Sequence, residues 1–237
     1  MSREVAIVTG GARGLGAAYV EGLKGAGFDV VVADLSESDA GDLYVQVDVS
    51  DPASTEAMAN AVVERFGRID VLINNAGYFT QIVKKPFEEL TVEEWDLAFA
   101  VNVRGTWLCC RAVAPTMKAQ RSGKIVNTSS MTVPSGIPGF LHYVSSKSAI
   151  VGLTRALARE LGEWGIAVNT ITPDYVPHDA EYAGRQPEMA PLLASQRAFK
   201  RDQVAEDLVG TILYLAGHGS DFVTGQDFWV NGGRLFN

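Results

Sequence analysis

The sequence is short of the residues that several protein classes depend on. Among 237 residues there are two cysteines, Cys109 and Cys110, and they are adjacent. Neighbouring thiols close a disulfide only with strain, so a disulfide framework is excluded and a reducing, cytoplasmic compartment is expected. The three histidines and two cysteines show no metal-ligand spacing, and no metal is expected. Basic residues number 20 against 28 acidic ones, a formal charge of −8. With no basic stripe, a nucleic-acid partner is not expected. No apolar run approaches the roughly 20 residues that cross a bilayer, and MSREVAIVTG lacks a secretory layout, so no membrane partner is expected either. Repeats, low-complexity segments and linkers are missing. The remainder is ordinary, 47% hydrophobic and 20% charged, which suits one folded domain over 1–237 with a full core.

Short β-branched runs alternate with longer helical patterns along most of the chain. The runs are EVAIVT (4–9), FDVVVAD (28–34), YVQVDV (44–49), DVLINN (70–75), KIVNTSS (124–130), GIAVNTIT (165–172) and QDFWV (226–230). They are nearly continuous in apolar residues, as strands covered on both faces are. One helix opens at Asp51-Pro52, an N-cap followed by proline at the first helical position. Another opens at Thr91 with Glu94 three residues on, a capping box ahead of Trp95, Phe99 and Trp107, aromatics expected in the core or at a subunit contact. Such alternation predicts an α/β fold with a mostly parallel sheet of about seven strands and helices on both faces. The stretch 173–202 breaks the rhythm with four prolines and no clear strand. Placed after the sixth strand, it is expected to be a substrate lid at the carboxyl edge of the sheet.

The first strand runs straight into Thr9-Gly10-Gly11-Ala12-Arg13-Gly14-Leu15-Gly16, spaced G-x-x-x-G-x-G. Glycines let backbone turn sharply and approach a pyrophosphate, which rests on the N–H groups opening the next helix. Asp34, at the end of the second strand, can accept hydrogen bonds from an adenosine ribose and repels a 2′-phosphate. Arg13 pulls the other way, since a guanidinium there could receive that phosphate. The carboxylate acts on the phosphate directly, so NAD is expected over NADP.

In HYVSSK (142–147), Tyr143 and Lys147 leave one helix face about a turn apart. An ammonium beside a phenol favours the phenolate, which is the working part of a proton-transfer device.

With TGGARGLG (9–16), DV (48–49), NNAG (74–77), the asparagine of FAVNVRG (99–105), the serine of IVNTSS (125–130) and Y-x-x-x-K (143–147) in order, the chain resembles the short-chain dehydrogenase/reductase family over essentially its whole length. The resemblance implies a doubly wound (Rossmann) domain and hydride exchange between a nicotinamide dinucleotide and a secondary alcohol or ketone. It implies Tyr143 as general acid/base, Lys147 as the group that lowers its pKa and holds the nicotinamide ribose, and Ser130, rather than Ser129, as the hydroxyl that holds the substrate oxygen. Asn102 would anchor a water linking Lys147 to solvent. Gly10, Gly14 and Gly16 would form the phosphate turn, with Arg13 and Leu15 beside it. Asp48 and Val49 would contact adenine, Asn75, Ala76 and Gly77 would line the adenosine ribose and pyrophosphate, and Pro173 and Val176 would complete the cofactor contacts. Family members are commonly tetramers or dimers packed through long helices, and the apolar faces at 95–119 and 146–161 allow a homo-oligomer.

The chain departs from the family after the sixth strand. Asp174 replaces a glycine and His178 stands where a threonine would help hold the cofactor, so Asp174 could alter ring placement, contact a polar substrate or cap the next segment. His142, Tyr78, Phe79, Phe140 and Tyr175 are candidates to line the substrate cleft, with ordinary packing an equal alternative; Cys109 and Cys110 read as small core residues. Two rival functions share the motifs: an NADPH-dependent reductase of 3-oxoacyl thioesters, and a cofactor-sensing protein without turnover.

Overall fold

Seven short strands line up in parallel, in the order β3-β2-β1-β4-β5-β6-β7. They are β1 (Val5–Thr9), β2 (Asp29–Asp34), β3 (Leu43–Gln46), β4 (Val71–Asn74), β5 (Gly123–Thr128), β6 (Ile166–Pro173) and β7 (Asp227–Val230). The computed structural model describes residues 3–177 and 189–236. All seven predicted runs are strands, each within about two residues of its expected limits except the third, which ends at Gln46 rather than Val49. The pairings are all parallel, where a mostly parallel sheet was expected.

Alternation along each strand explains the continuous apolar runs. Val5 and Ile7 enter one core layer with Val31, Ala33, Leu72, Ile125 and Val168. Ala6 and Val8 enter the opposite layer with Val30, Val32, Ile73, Val126 and Ile171. Helices α2 (Pro52–Phe66), α4 (Thr106–Gln120) and α6 (Leu141–Leu161) cover the first layer through Met58, Val62, Cys109, Val113 and Leu161. Helices α1 (Gly14–Gly25) and α8 (Glu206–Ala216) cover the second through Tyr19, Leu23, Leu208 and Ile212. A strand buried on both faces carries a polar residue only where a hydrogen-bond partner meets it, so most of its positions are apolar.

The start signals act as read. Asp51 accepts from the N–H groups of Ala53 and Ser54, and Thr91 and Glu94 form a reciprocal capping box at α3 (Val92–Phe99). Beyond α3 the helix widens into a π turn over Ala100–Gly105 before α4, which no sequence signal announced. Within 173–202, Pro173 belongs to β6 and Met189–Gln196 forms α7. His178 and the rest of 178–188 lie outside the described residues.

After β3 the chain returns across β1 to form β4 on its far side. Connections leave β1 in opposite directions at that point, opening a crevice at the carboxyl ends of β1 and β4. Thr9 pairs with Asn74, and Asn74 with Asn127, so the glycine turn, the Asn74–Gly77 loop and the Thr128–Ser130 loop meet at this edge.

Candidate active site

The glycine turn is built to keep a space open. Gly10 and Gly14 both adopt positive φ, +63° and +57°. A side chain at Gly10 would begin 2.9 Å from Ala76 Cα, and one at Gly16 would collide with the Gly10 carbonyl oxygen. At Gly14 nothing lies within 4 Å. The N-cap of α1, Arg13, supplies no side-chain bond to the first turn. The helix thus presents uncapped N–H groups at Gly14, Leu15 and Gly16 beside open space, the donor set a pyrophosphate requires. These residues fit the pyrophosphate of a dinucleotide.

The adenosine end is less uniform. Asp34 accepts from the N–H of Ala12 (3.0 Å) and of Ser36 (3.0 Å), so its carboxylate sits against the turn. Arg13 and Leu35 are exposed nearby in the chain. Asp48 spends one carboxylate oxygen on the N–H and hydroxyl of Ser50. Val49 is buried against Gly105, where a side chain would begin 2.8 Å from Val49 Cγ2. Asn75 donates from Nδ2 to the carbonyls of Thr9 and Gly10, and Ala76 N donates to Thr9 Oγ1. The Asn74–Gly77 loop therefore braces the phosphate turn.

Tyr143 and Lys147 do share one face of α6, and both are nearly closed off, 7% and 5% exposed. Lys147 Nζ stands 5.9 Å from the Tyr143 ring centroid and donates to the Thr128 carbonyl at 2.8 Å. Burial pushes the phenol up to about 12, with a Ser130 hydrogen bond pulling it down. Burial also pulls the ammonium down to about 8. The lysine, expected to depress the phenol, is aimed at a carbonyl, and in the chain alone Ser130 does the lowering. Ser129 donates to the Lys147 carbonyl (3.0 Å), away from the phenol, which separates the two serines.

Asn102 is buried in the π turn. Its Oδ1 accepts from Tyr78 N (2.7 Å), and its Nδ2 donates to Ser146 Oγ (2.9 Å). Asn102 Oδ1 and Lys147 Nζ converge beside Gly77, at 3.3 and 3.5 Å from where a side chain there would begin. Glycine leaves that space free.

Aromatic residues wall the phenol. Phe79 lies 5.0 Å and Phe140 6.4 Å from Tyr143, ring centre to ring centre, with Ile82, Ile137 and Tyr78 packed around them. His142 is buried with Nδ1 unpartnered; burial holds it below the usual imidazole range, opposed by the Glu94 carboxylate and reinforced by the Lys85 ammonium. Pro173 accepts from Met131 N through its carbonyl, Tyr175 accepts from Arg197, and Val176 packs on the second core layer.

Asp174 is the clearest departure from expectation. It is buried, and its Oδ2 accepts from Arg197 Nε and Arg234 Nε, each at 3.0 Å. It is neither a helix cap nor a free carboxylate facing the crevice. Arg197 and Arg234 escaped sequence reasoning, since neither lies in a motif. The buried chain Asn74–Asn127–Thr154–Thr170, linked at 2.9 Å throughout, escaped as well, because its members sit on four separate elements.

The sequence matches a family model described as enoyl-(acyl carrier protein) reductase over residues 10–234. It is 33% identical to the 3-oxoacyl-[acyl-carrier-protein] reductase FabG of Staphylococcus aureus strain Mu50, covering 96% of each chain. It is 34% identical to D-threitol dehydrogenase of Mycolicibacterium smegmatis, covering 97% of this chain and 92% of that one. A 3-oxoacyl-[acyl-carrier-protein] reductase of Synechocystis is 31% identical over 99% of this chain and 98% of its own. Uncapped donors over an open glycine, a buried tyrosine–lysine pair and these full-length similarities agree: the chain belongs to the short-chain dehydrogenase/reductase family and is an oxidoreductase that uses a nicotinamide dinucleotide to act on CH–OH groups.

Proposed function

We propose that the protein interconverts a secondary alcohol and a ketone with NAD(H), Tyr143 exchanging the proton on the substrate oxygen. The observation that carries this reading is the buried Tyr143 with Ser130 and Lys147 beside it. A bound nicotinamide supplies hydride to, or takes it from, the substrate carbon. The chain's residues handle the rest. Ser130 and Tyr143 hold the oxygen as charge develops on it, and oriented donors in a dry site are most effective there. With the phenol near 12, Tyr143 is an acid in reduction; in oxidation it needs nearby positive charge to become a base. Lys147 provides such a charge below about pH 8. The convergence of Asn102 and Lys147 beside Gly77 supports a water there, through which a proton reaches solvent. The part of 173–202 that follows β6 is assigned the role of lid within a single domain, supported by residues 174–177, which continue from the carboxyl end of β6.

NAD is assigned over NADP because Asp34 stands against the turn and Leu35 beside it brings no cation. A second reading is NADPH-dependent reduction of 3-oxoacyl thioesters; the names of two relatives favour its substrate class and say nothing of the cofactor. The buried free thiols support a reducing cytoplasmic location. The test is a panel of ketones, polyols and oxoacyl thioesters, assayed with each cofactor by absorbance. Turnover with NADH supports the first reading; turnover of thioesters with NADPH alone supports the second and removes the first.

A further inference from the structure

Three separate pieces of the chain meet at one carboxylate. Asp174 follows the last residue of β6. Arg197 follows α7 and reaches it through Nε at 3.0 Å; Arg234, in the C-terminal turn, reaches the same oxygen at 3.0 Å. The three side chains are 3%, 2% and 7% exposed. Arg197 also donates to the carbonyls of Tyr175 and Arg201, which fixes the end of α7 to the chain leaving β6. Arg234 forks the other way. Its second nitrogen donates to Ser135 Oγ at 2.9 Å, and Ser135 Oγ donates to the Met131 carbonyl at 2.6 Å. Met131 immediately follows Ser130, and its N–H is held by the Pro173 carbonyl at 3.0 Å.

Two guanidinium groups on one carboxylate leave a positive charge in excess among these three side chains. Burying such a group is unfavourable unless each donor is directed, and here the rigid planar fork of Arg234 directs separate nitrogens at two acceptors, which the point charge of a lysine ammonium on its flexible stem does not reproduce. We propose that Arg234, anchored on the carboxylate that Asp174 shares with Arg197, is a positioning residue that holds the Ser130–Ser135 segment, with its one-turn helix α5 (Thr132–Ser135), in register with the end of β6. The C-terminal turn thereby sets where the Ser130 hydroxyl stands relative to Tyr143. The catalytic consequence rests on the role given to Ser130 above; the mechanical link does not.

Arg234→Met leaves Arg197 and Asp174 as a balanced pair, so the variant is suited to folding. Ser135→Ala breaks the same arm without touching any charge and serves if Arg234→Met does not fold. Hydrogen–deuterium exchange, which needs no turnover, is followed at 130–136 and at the glycine turn 10–16. Either variant is expected to speed exchange at 130–136 and leave 10–16 as in the wild type. Turnover falls about tenfold with the dinucleotide Kd within about twofold, because a slightly misplaced group lowers rate more than binding. Arg234→Lys does not restore the rate, and the double variant is no slower than the worse single. Exchange at 130–136 unchanged in Ser135→Ala, or accelerated equally at 10–16, overturns the inference. Faster exchange at 130–136 in a protein whose wild type turns over nothing supports the link and contradicts the proposed function alone.

Discussion

Lys147 is asked to be a cation in a place that resists cations. In the folded chain it titrates near 8, against an ordinary 10.5, because burial removes water from the ammonium. Below pH 8 both folded and unfolded chains carry the proton, and the folded one bears the full penalty. Between 8 and 10.5 the folded chain has released its proton while the unfolded chain has not, so this residue's contribution to stability rises with pH. Lys147→Met is therefore expected to melt higher than wild type at pH 7, by a margin that shrinks towards pH 10. Melting curves without cofactor at pH 7, 8.5 and 10 check this, and a constant margin contradicts it. Asp34→Ala should narrow a preference for NADH over NADPH by about tenfold, read by fluorescence titration with each, since repulsion of the 2′-phosphate is removed. At this scale the sequence was legible where neighbours are local. Tyr143 and Lys147 share a face because helix periodicity puts them there. Asp174 was visible as an oddity, but its partners lie 23 and 60 residues away, and only the fold brings them in.

At the scale of elements, the glycine turn is the most constrained piece. Gly16 has no room for a methyl group, because the Gly10 carbonyl occupies the position. Gly16→Ala should weaken dinucleotide binding by about a hundredfold, as the backbone moves away from the phosphate site. Isothermal titration measures this, and an unchanged Kd contradicts the placement. Strands, the Asp51 cap and the Thr91 capping box were readable because each depends on residues within a few positions. The π turn at Ala100–Gly105 was not. Its widened backbone is held by distant groups, with Asn102 tied to Tyr78 and Ser146 and Gly105 pressed on Val49. The helix at Met189–Gln196 was hidden by Pro191 within it, which reads as a breaker although proline is tolerated in a first turn.

For the whole molecule, the parallel sheet and its two apolar layers followed from runs that never alternate. What one chain's periodicity does not reveal is which apolar face meets a second chain. Leu97, Phe99, Val103, Trp107 and Leu153 line a groove on the outer side of α3, the π turn, α4 and α6, with Trp107 44% exposed. A homo-oligomer would cover it, and Trp107→Glu should lower the mass seen by light scattering to that of a smaller assembly, while cofactor binding persists. A monomeric wild type contradicts that assignment without touching the site. Among the described residues no helix is long and apolar enough to cross a membrane.

The most direct measurement concerns one oxygen atom. Tyr143→Phe removes the hydroxyl and keeps the ring against Phe79 and Phe140. The substrate panel, run with the variant and with dinucleotide binding measured alongside, should show turnover reduced at least about a thousandfold while the Kd for the dinucleotide stays within about twofold. Turnover at the wild-type rate would remove Tyr143 from the chemistry and leave the fold and the dinucleotide crevice without a proton donor.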